Sequence, residues 1–339
     1  MQWLMISFVI LIVIIICQKI QKIQIKRTIK SNQLYNNDST EILKQENSNK
    51  VHINLPNKTV HVKRELKDAL FVGQIVFEKY KVIEVMHVGQ MSHVYLVKHL
   101  VLGNYWCLKV VTTYDNTGVF QEEGILKQMN YQMIPKMIDI FYKGNIVYII
   151  EEYIEGTSLK DLLYKEGQFK EKEIIQWGIE ICEIFEYLHN HYYNPIIYRD
   201  LKPENIIVTN NRHLVLIDFG LAKFKTSKSR DYMPSGTKLF APKEQFLDNG
   251  LTDELTDLYS IGMVLTHLIL ENDHEDTITL KQLSKFVSKD FSKLLLKSIS
   301  DNRELRYQRA KNFKKDLKKL LLKKQGFFNL TKEGYQLFL

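Results

Sequence analysis

The segment IIYRDLKPENIIV, residues 196–208, sets Arg199, Asp200, Lys202, Glu204 and Asn205 between two β-branched apolar runs. A strand–turn–strand is satisfied by Gly or Asn at the turn, because those residues tolerate the backbone angles required. Five polar or charged side chains are more than a turn asks for. Either the segment is a solvated hairpin, or it is a loop of reactive groups held between two buried strands. Thirteen residues after Asn205, the run VLIDFG (215–220) ends a second apolar strand in Asp218, followed by Phe219 and Gly220. A carboxylate at a strand end beside a flexible glycine is a natural ligand for a hard cation such as Mg²⁺. Each segment alone is weak; together, in this order and at this spacing, they favour the reactive loop.

With 339 residues the chain can hold one large domain or two medium ones. A hydrophobic share of 45% and a charged share of 25% exclude wholesale disorder. The net charge of +8 suits an anionic partner. Nucleic acid, an anionic membrane surface and a polyphosphate all qualify, and charge alone does not choose. Cys17, Cys107 and Cys182 lie far apart in apolar surroundings, without C-x-x-C or zinc spacing, which fits buried thiols in a reducing compartment.

The N-terminus carries its own signal. Residues 3–17, WLMISFVILIVIIIC, are apolar except for Ser7, and Lys19, Lys22, Lys26, Arg27 and Lys30 follow. As a helix this run is about 22 Å long, short of the roughly 30 Å hydrocarbon core. Met1, Gln2 and a snorkelling Lys19 narrow the gap. The rival reading, a cleaved signal peptide, calls for a basic segment before the apolar run and a small-residue cleavage site after it, and both are missing. The basic flank lies after the helix, so the positive-inside rule places the rest of the chain in the cytoplasm. With almost nothing before this anchor, no external sensor domain is expected on the chain.

Residues 31–70 are rich in Asn, Lys and Glu and read as a tether. From Val72 the pattern tightens. YKVIEV (80–85), HVYLVKH (93–99) and YWCLKVV (105–111) predict strands, FQEEGILKQM (120–129) a short helix, and 137–153 two more strands around KGN. The segment 171–192 places Ile174, Trp177, Ile181, Phe185 and Leu188 on one helical face. A β-rich lobe followed by a helical lobe is a two-lobed α+β plan, with the site in the cleft between them.

These motifs, over residues 72 to 321, resemble the eukaryotic-type protein kinase family in its bacterial Ser/Thr form. The resemblance implies a protein-kinase-like fold and a transfer of the ATP γ-phosphate in which the protein positions the nucleophile and spreads negative charge. It assigns Asp200 as acceptor of the substrate hydroxyl proton and Lys202 to the γ-phosphate. Asn205 and Asp218 become ligands of Mg²⁺ (or Mn²⁺). Lysine at 202, in RDLKPEN, is the form of Ser/Thr rather than tyrosine kinases. Lys109 in WCLK takes the α- and β-phosphates, with Glu122, or else Glu123, as its ion-pair partner. Val88, Gly89, Val94 and Cys107 would line the nucleotide. The main chain of Glu152 and Ile154 would bond adenine, with Glu151 at the gatekeeper position.

The family's glycine pattern G-x-G-x-x-G-x-V reads here as HVGQMSHV, retaining only Gly89, where close phosphate approach favours glycine. Tyr198 replaces a histidine and is expected to pack beneath the loop. In APKEQF, Lys243 stands where proline is usual, while Glu244 keeps an expected buried partner in Arg306. Asp257 in DLYSIG is expected to brace the catalytic loop, and Thr237 to bond Asp200 and Lys202. His87, His189, His191 and His213 read as surface, turn or helix-end histidines. Thr226, Ser227, Ser229, Tyr232 and Ser235 are candidates for a phosphate that could pair with Arg199 and Lys223.

The reading is thus an anchor over 1–18, a basic juxtamembrane segment and linker over 19–71, a kinase domain over 72–321 and a tail over 322–339. It describes a single-pass cell-membrane protein with a cytoplasmic kinase domain, protein substrates, and a homodimer for trans-autophosphorylation. No motif supports nucleic-acid binding. A pseudokinase scaffold with weak nucleotide binding is the alternative, and a small-molecule kinase of the same fold a third reading.

Overall fold

The alternation of apolar and polar residues in 80–112 is converted into an antiparallel meander. In the computed structural model the described residues are 69–89, 92–112, 117–192, 194–225, 236–247, 252–271 and 278–324; the side chains of 117–121 also fall outside them. The expected anchor, the linker up to residue 68, the candidate phosphorylation positions 226–235 and the tail 325–339 lie outside the described residues.

Among the described residues, six strands form one sheet. They are β1 (Ile75–Val76), β2 (Tyr80–Val88), β3 (Ser92–His99), β4 (Tyr105–Thr112), β5 (Met137–Lys143) and β6 (Ile146–Glu152), in the order β1-β2-β3-β4-β6-β5. Tyr80, Val82, Tyr95, Val97, Leu108, Val110, Tyr148 and Ile150 fill one face as a buried cluster. Because side chains alternate across a strand, Lys109 and Cys107 are carried on the other face. Helix α1 (Thr117–Leu126) follows β4 and brings Glu122 to that face.

The helical lobe is built on α3 (Glu171–His189), which follows the short α2 (Leu159–Glu166). Its expected stripe is fully realised: Ile174, Trp177, Ile181, Phe185 and Leu188 are each at most 1% exposed. Ile175, Ile179, Cys182 and Ile184 are buried too, so the helix is apolar nearly all round and sits inside the lobe. Helix α4 (Glu254–Leu270), capped by Asp253 and Thr256, is similarly enclosed. Beyond α5 (Leu280–Leu283) and α6 (Lys289–Ser298), the last described helix, α7 (Ala310–Lys324), packs Phe313, Leu317 and Leu320 inward. Its lysines face outward, and several meet acids of α3, as Lys318 meets Glu183 at 3.1 Å. No described helix is long and apolar enough to cross a membrane.

Short strands deliver the two polar motifs. β8 (Ile196–Ile197) leads into the Arg199–Asn205 loop, and β9 (Ile206–Thr209) leaves it, pairing with β7 (Gly156–Ser158) and β10 (Leu214–Leu216). β10 ends just before Asp218, and β11 (Lys223–Phe224) returns to pair with β8. The segment after Asp218 is thereby fastened to the segment before Asp200.

Candidate active site

Lys109 is the hub of the first half of the site. Its ammonium, on a residue 7% exposed, donates to Glu122 Oε1 at 2.6 Å and to Asp218 Oδ1 at 2.7 Å. Burial works against the charge, but the carboxylates of Glu122 and Asp218 outweigh it and hold the lysine protonated, its pKa raised. Lys109 in turn pulls the Asp218 carboxyl below its usual range, against the effect of burial. The choice between Glu122 and Glu123 is settled by geometry, since Glu123 bonds Lys127 and the Tyr142 hydroxyl instead. Asp218 holds a left-handed backbone, φ +65°, and Gly220 N–H donates to its Oδ1 at 3.2 Å. A Cβ at Gly220 would lie 3.2 Å from that oxygen and 3.3 Å from Lys109 Nζ, so a side chain there would crowd the Lys109–Asp218 contact.

The second half is the loop around Asp200. Its Oδ1 accepts from the Thr237 hydroxyl at 3.0 Å, and its Oδ2 from Lys202 Nζ at 2.7 Å and Asn205 Nδ2 at 3.1 Å. Asn205 Nδ2 also donates to the Asp200 carbonyl at 2.9 Å. Lys202 further reaches Thr237 at 3.4 Å, so the expected three-way contact is present. Beneath the loop, fully buried Asp257 accepts from Tyr198 N–H at 3.0 Å and Arg199 N–H at 2.9 Å. This sustains the left-handed backbone of Arg199, φ +68°, a conformation that costs energy in a non-glycine residue.

Four residues do more than the sequence suggested. His189, read as a helix-end histidine, lies 2.9 Å from Asp257 Oδ2 through its Nε2. Gln245 donates to the Arg199 carbonyl at 2.8 Å and packs against Gly236. Tyr198 is fully buried as expected, but its hydroxyl also donates to the Ile217 carbonyl at 2.6 Å, tying the loop to the residue before Asp218. Arg303 donates to Glu244 at 2.9 Å and to Asp253 at 2.6 Å, beside the expected Glu244–Arg306 bonds of 2.6 and 3.2 Å. A tyrosine in a histidine position was a signal for the Tyr198 hydroxyl. His189 and Gln245 meet partners 68 and 46 positions away, which periodicity cannot reveal. Burial opposes ionisation of Glu244, yet its arginine partners leave the carboxyl below its usual pKa. Lys243, in the proline position, is exposed and pairs with Asp301.

The cleft wall is sparser. Val88 ends β2 and is exposed, and Gly89 N–H donates to the Ser92 carbonyl at 2.9 Å. His87 is an exposed strand residue rather than part of a loop. Val94, Lys109 and Ile149 make one cross-strand row, and Leu96, Cys107 and Glu151 the next. Glu151 is buried. Loss of water, reinforced by the Glu122 charge and opposed by Lys109, pushes its carboxyl up to about 8. Glu152 is exposed and its N–H already donates to the Lys136 carbonyl at 2.9 Å, so a bond from Glu152 to a base would use its carbonyl. Ile154, partly exposed, follows two residues on.

The donor set fits a hard cation. The Asp218 side chain is 45% exposed, and its Oδ2 has no hydrogen bond among the described residues. The Asn205 amide directs its N–H donors at Asp200, which leaves Oδ1 as its available acceptor. Among the described residues no cluster of three His, Cys, Asp or Glu could enclose a metal. One carboxylate and one carboxamide instead suit Mg²⁺, which keeps much of its coordination for water and phosphate oxygens.

Comparison with known proteins matches residues 80–325 to the protein kinase domain. The chain is 26% identical over 273 residues to a probable serine/threonine-protein kinase of Clostridium perfringens, covering 74% of this chain and 39% of that protein. It is 24% identical over 272 residues to the serine/threonine-protein kinase PrkC of Bacillus subtilis, covering 74% and 41%. It is 25% identical over 268 residues to the serine/threonine-protein kinase PknB of Mycobacterium leprae, covering 71% and 42%. The chain thus spans about two-fifths of the length of these relatives. Proteins of this kind generally use ATP and Mg²⁺. Given the extent of the match and the motifs it covers, the chain belongs to the protein kinase domain family, in its eukaryotic-type Ser/Thr branch.

Proposed function

We propose that this chain is an ATP- and Mg²⁺-dependent protein serine/threonine kinase. The observation that carries the reading is the joint geometry of Lys109 on Glu122 and Asp218, and of Asp200 on Lys202, Asn205 and Thr237. It unites on one surface the charges that phosphoryl transfer requires. Asp200 would accept the proton of the attacking hydroxyl, with Thr237, Lys202 and Asn205 fixing its orientation. Lys109, held charged and aimed by Glu122, would bind phosphate oxygens, and Lys202 would do so at the end that is transferred. Asn205 and Asp218 would hold Mg²⁺, which supplies charge neutralisation on the phosphates. Val88, Gly89, Val94 and Cys107 would flank the nucleotide, and the main chain of Glu152 and Ile154 would take the base. The complete Lys109, Asp200, Asn205 and Asp218 set speaks against a pseudokinase scaffold, for which the single glycine of the β2–β3 turn is the supporting feature. Thr237, Glu244 and Arg306 favour a protein substrate over a small molecule.

The proposal extends to location and assembly. Residues 1–18 would anchor the protein in the cell membrane, residues 19–71 would link them to a cytoplasmic kinase domain (72–321), and residues 322–339 would form a tail. Two copies would phosphorylate one another. The apolar run with its basic flank supports the anchor.

The decisive experiment is autophosphorylation of the full chain with labelled ATP and Mg²⁺, beside Asp200→Asn. The variant is expected to retain nucleotide binding and lose nearly all transfer. Equal labelling of both proteins would remove Asp200 as the base. Mixing an active chain with a differently sized Asp200→Asn chain tests transfer between copies, and membrane fractionation after deletion of residues 1–30 tests the anchor.

A further inference from the structure

One buried acid takes no part in the arrangement just described. Glu151 is 8% exposed and lies opposite Cys107 on β4 and Met137 on β5. The strand register places it on the face that also carries Lys109, at the end of β6 where the chain leaves for Glu152 and Ile154. It makes no hydrogen bond and no ion pair among the described residues. Lys109, the nearest cation on that face, is committed to Glu122 and Asp218. A carboxyl on this face that meets neither a hydrogen-bond donor nor a cation of the protein can take its partner from a ligand. The charged or titratable groups facing it are Cys107 and Lys109 on β4, Glu122 on α1 and Asp218 after β10. Burial, helped by the charges of Glu122 and Asp218 and opposed by Lys109, raises the pKa of Glu151 and favours its neutral form.

A neutral carboxyl offers one O–H donor and one carbonyl acceptor side by side. Its natural complement is a ligand edge with an N–H donor adjacent to a ring-nitrogen acceptor. Adenine has such an edge in N6–H and N7, whereas guanine presents two acceptors there, O6 and N7. The geometry points to Glu151 as a base-reading residue whose carboxylic acid pairs with the N6–H and N7 edge of adenine. This inference rests on the kinase reading, in which the main chain of Glu152 and Ile154 occupies the base's other edge. On deprotonation the carboxylate can only accept, so it keeps N6–H and opposes the N7 lone pair.

The test is equilibrium binding of ATP, GTP and 7-deaza-ATP to the full chain by calorimetry, at pH 6.5 and pH 9. 7-Deaza-ATP has a C–H in place of N7 and the same phosphates, so the ratio of its affinity to that of ATP cancels phosphate ionisation. At pH 6.5 the wild-type protein is expected to bind ATP roughly tenfold more tightly than 7-deaza-ATP or GTP, the scale of one two-point base contact. The ATP preference over 7-deaza-ATP is expected to shrink at pH 9. Glu151→Leu should bind ATP and 7-deaza-ATP alike. Glu151→Gln, which keeps a donor and an acceptor, should retain the preference at both pH values. Equal binding of ATP and 7-deaza-ATP by the wild type overturns the inference and leaves the kinase reading standing. Failure of the wild type to bind any nucleotide overturns both.

Discussion

Asp200 and Asp218 serve one site but are held by different means. Asp200 sits in a loop whose supports all belong to the helical lobe: Asp257 below, Tyr198 and Gln245 at the sides, and Lys202, Asn205 and Thr237 around the carboxylate. Asp218 is held chiefly by Lys109 from the sheet, which is shared with Glu122 from α1. The first arrangement is part of the packed interior and is determined several times over. The second depends on three elements arriving together, and it is the part that ligand or lobe position can change. On the proposed reading, rigidity is therefore concentrated where an attacking hydroxyl would be oriented, and adjustability where a nucleotide would enter.

Substitutions can break this contrast. Asp257→Ala is expected to have the largest effect on stability, because it leaves the buried Tyr198 N–H, the partly buried Arg199 N–H and His189 without their acceptor. A loss of about 3 kcal/mol or more in urea unfolding is anticipated. A loss under 1 kcal/mol would show that the loop is not supported from beneath. Lys109→Met should instead lower transfer by roughly 10²–10³-fold with a smaller loss of stability. If it unfolds the protein as readily as Asp257→Ala, the two halves are equally structural and the contrast fails.

A third measurement concerns pH. The folded-state pKa of Glu151 is raised from 4.5 to about 8, so its contribution to stability is fully present below the unfolded value and is lost as pH rises through about 8. Glu151→Gln is expected to flatten that decline, gaining on the order of 4 kcal/mol relative to wild type between pH 5 and pH 8.5. Parallel pH–stability curves for the two proteins would mean that Glu151 is charged in the folded state. The smallest effect belongs to Glu123→Gln, whose bonds to Lys127 and Tyr142 lie at the surface. A change below about 0.5 kcal/mol and no loss of transfer are expected, and a large loss of transfer would mean that Glu122 and Glu123 exchange roles.

Much of this was legible in the residues. Alternation in 80–111 and the helical stripe of 171–192 report burial directly, because one face of a strand or helix must be apolar to pack. The loop groups Asp200, Lys202 and Asn205 are close in sequence, so their proximity follows from a short turn. The Glu122–Lys109 contact crosses thirteen residues and stayed open between two neighbouring glutamates until the fold chose one. His189, Gln245 and Arg303 could not be read, since each acts on a backbone or acid brought near only by tertiary packing. That Glu151 meets no partner among the described residues is likewise invisible in a sequence, which names the groups present but not the ones a side chain fails to meet.

The separation of 109 positions between Lys109 and Asp218 has a consequence for biosynthesis. Synthesis proceeds from the N-terminus, and domains form as their segments emerge. When Lys109 and Glu122 leave the ribosome, the carboxylate they will hold has not been made. Asp257 follows only after Asp200, and Arg306, which secures Glu244, comes 62 positions after that glutamate. A nascent chain therefore contains Lys109 long before it contains an Asp200 loop braced by Asp257. On the proposed reading, the groups that phosphoryl transfer would need come together only once most of the domain has been translated.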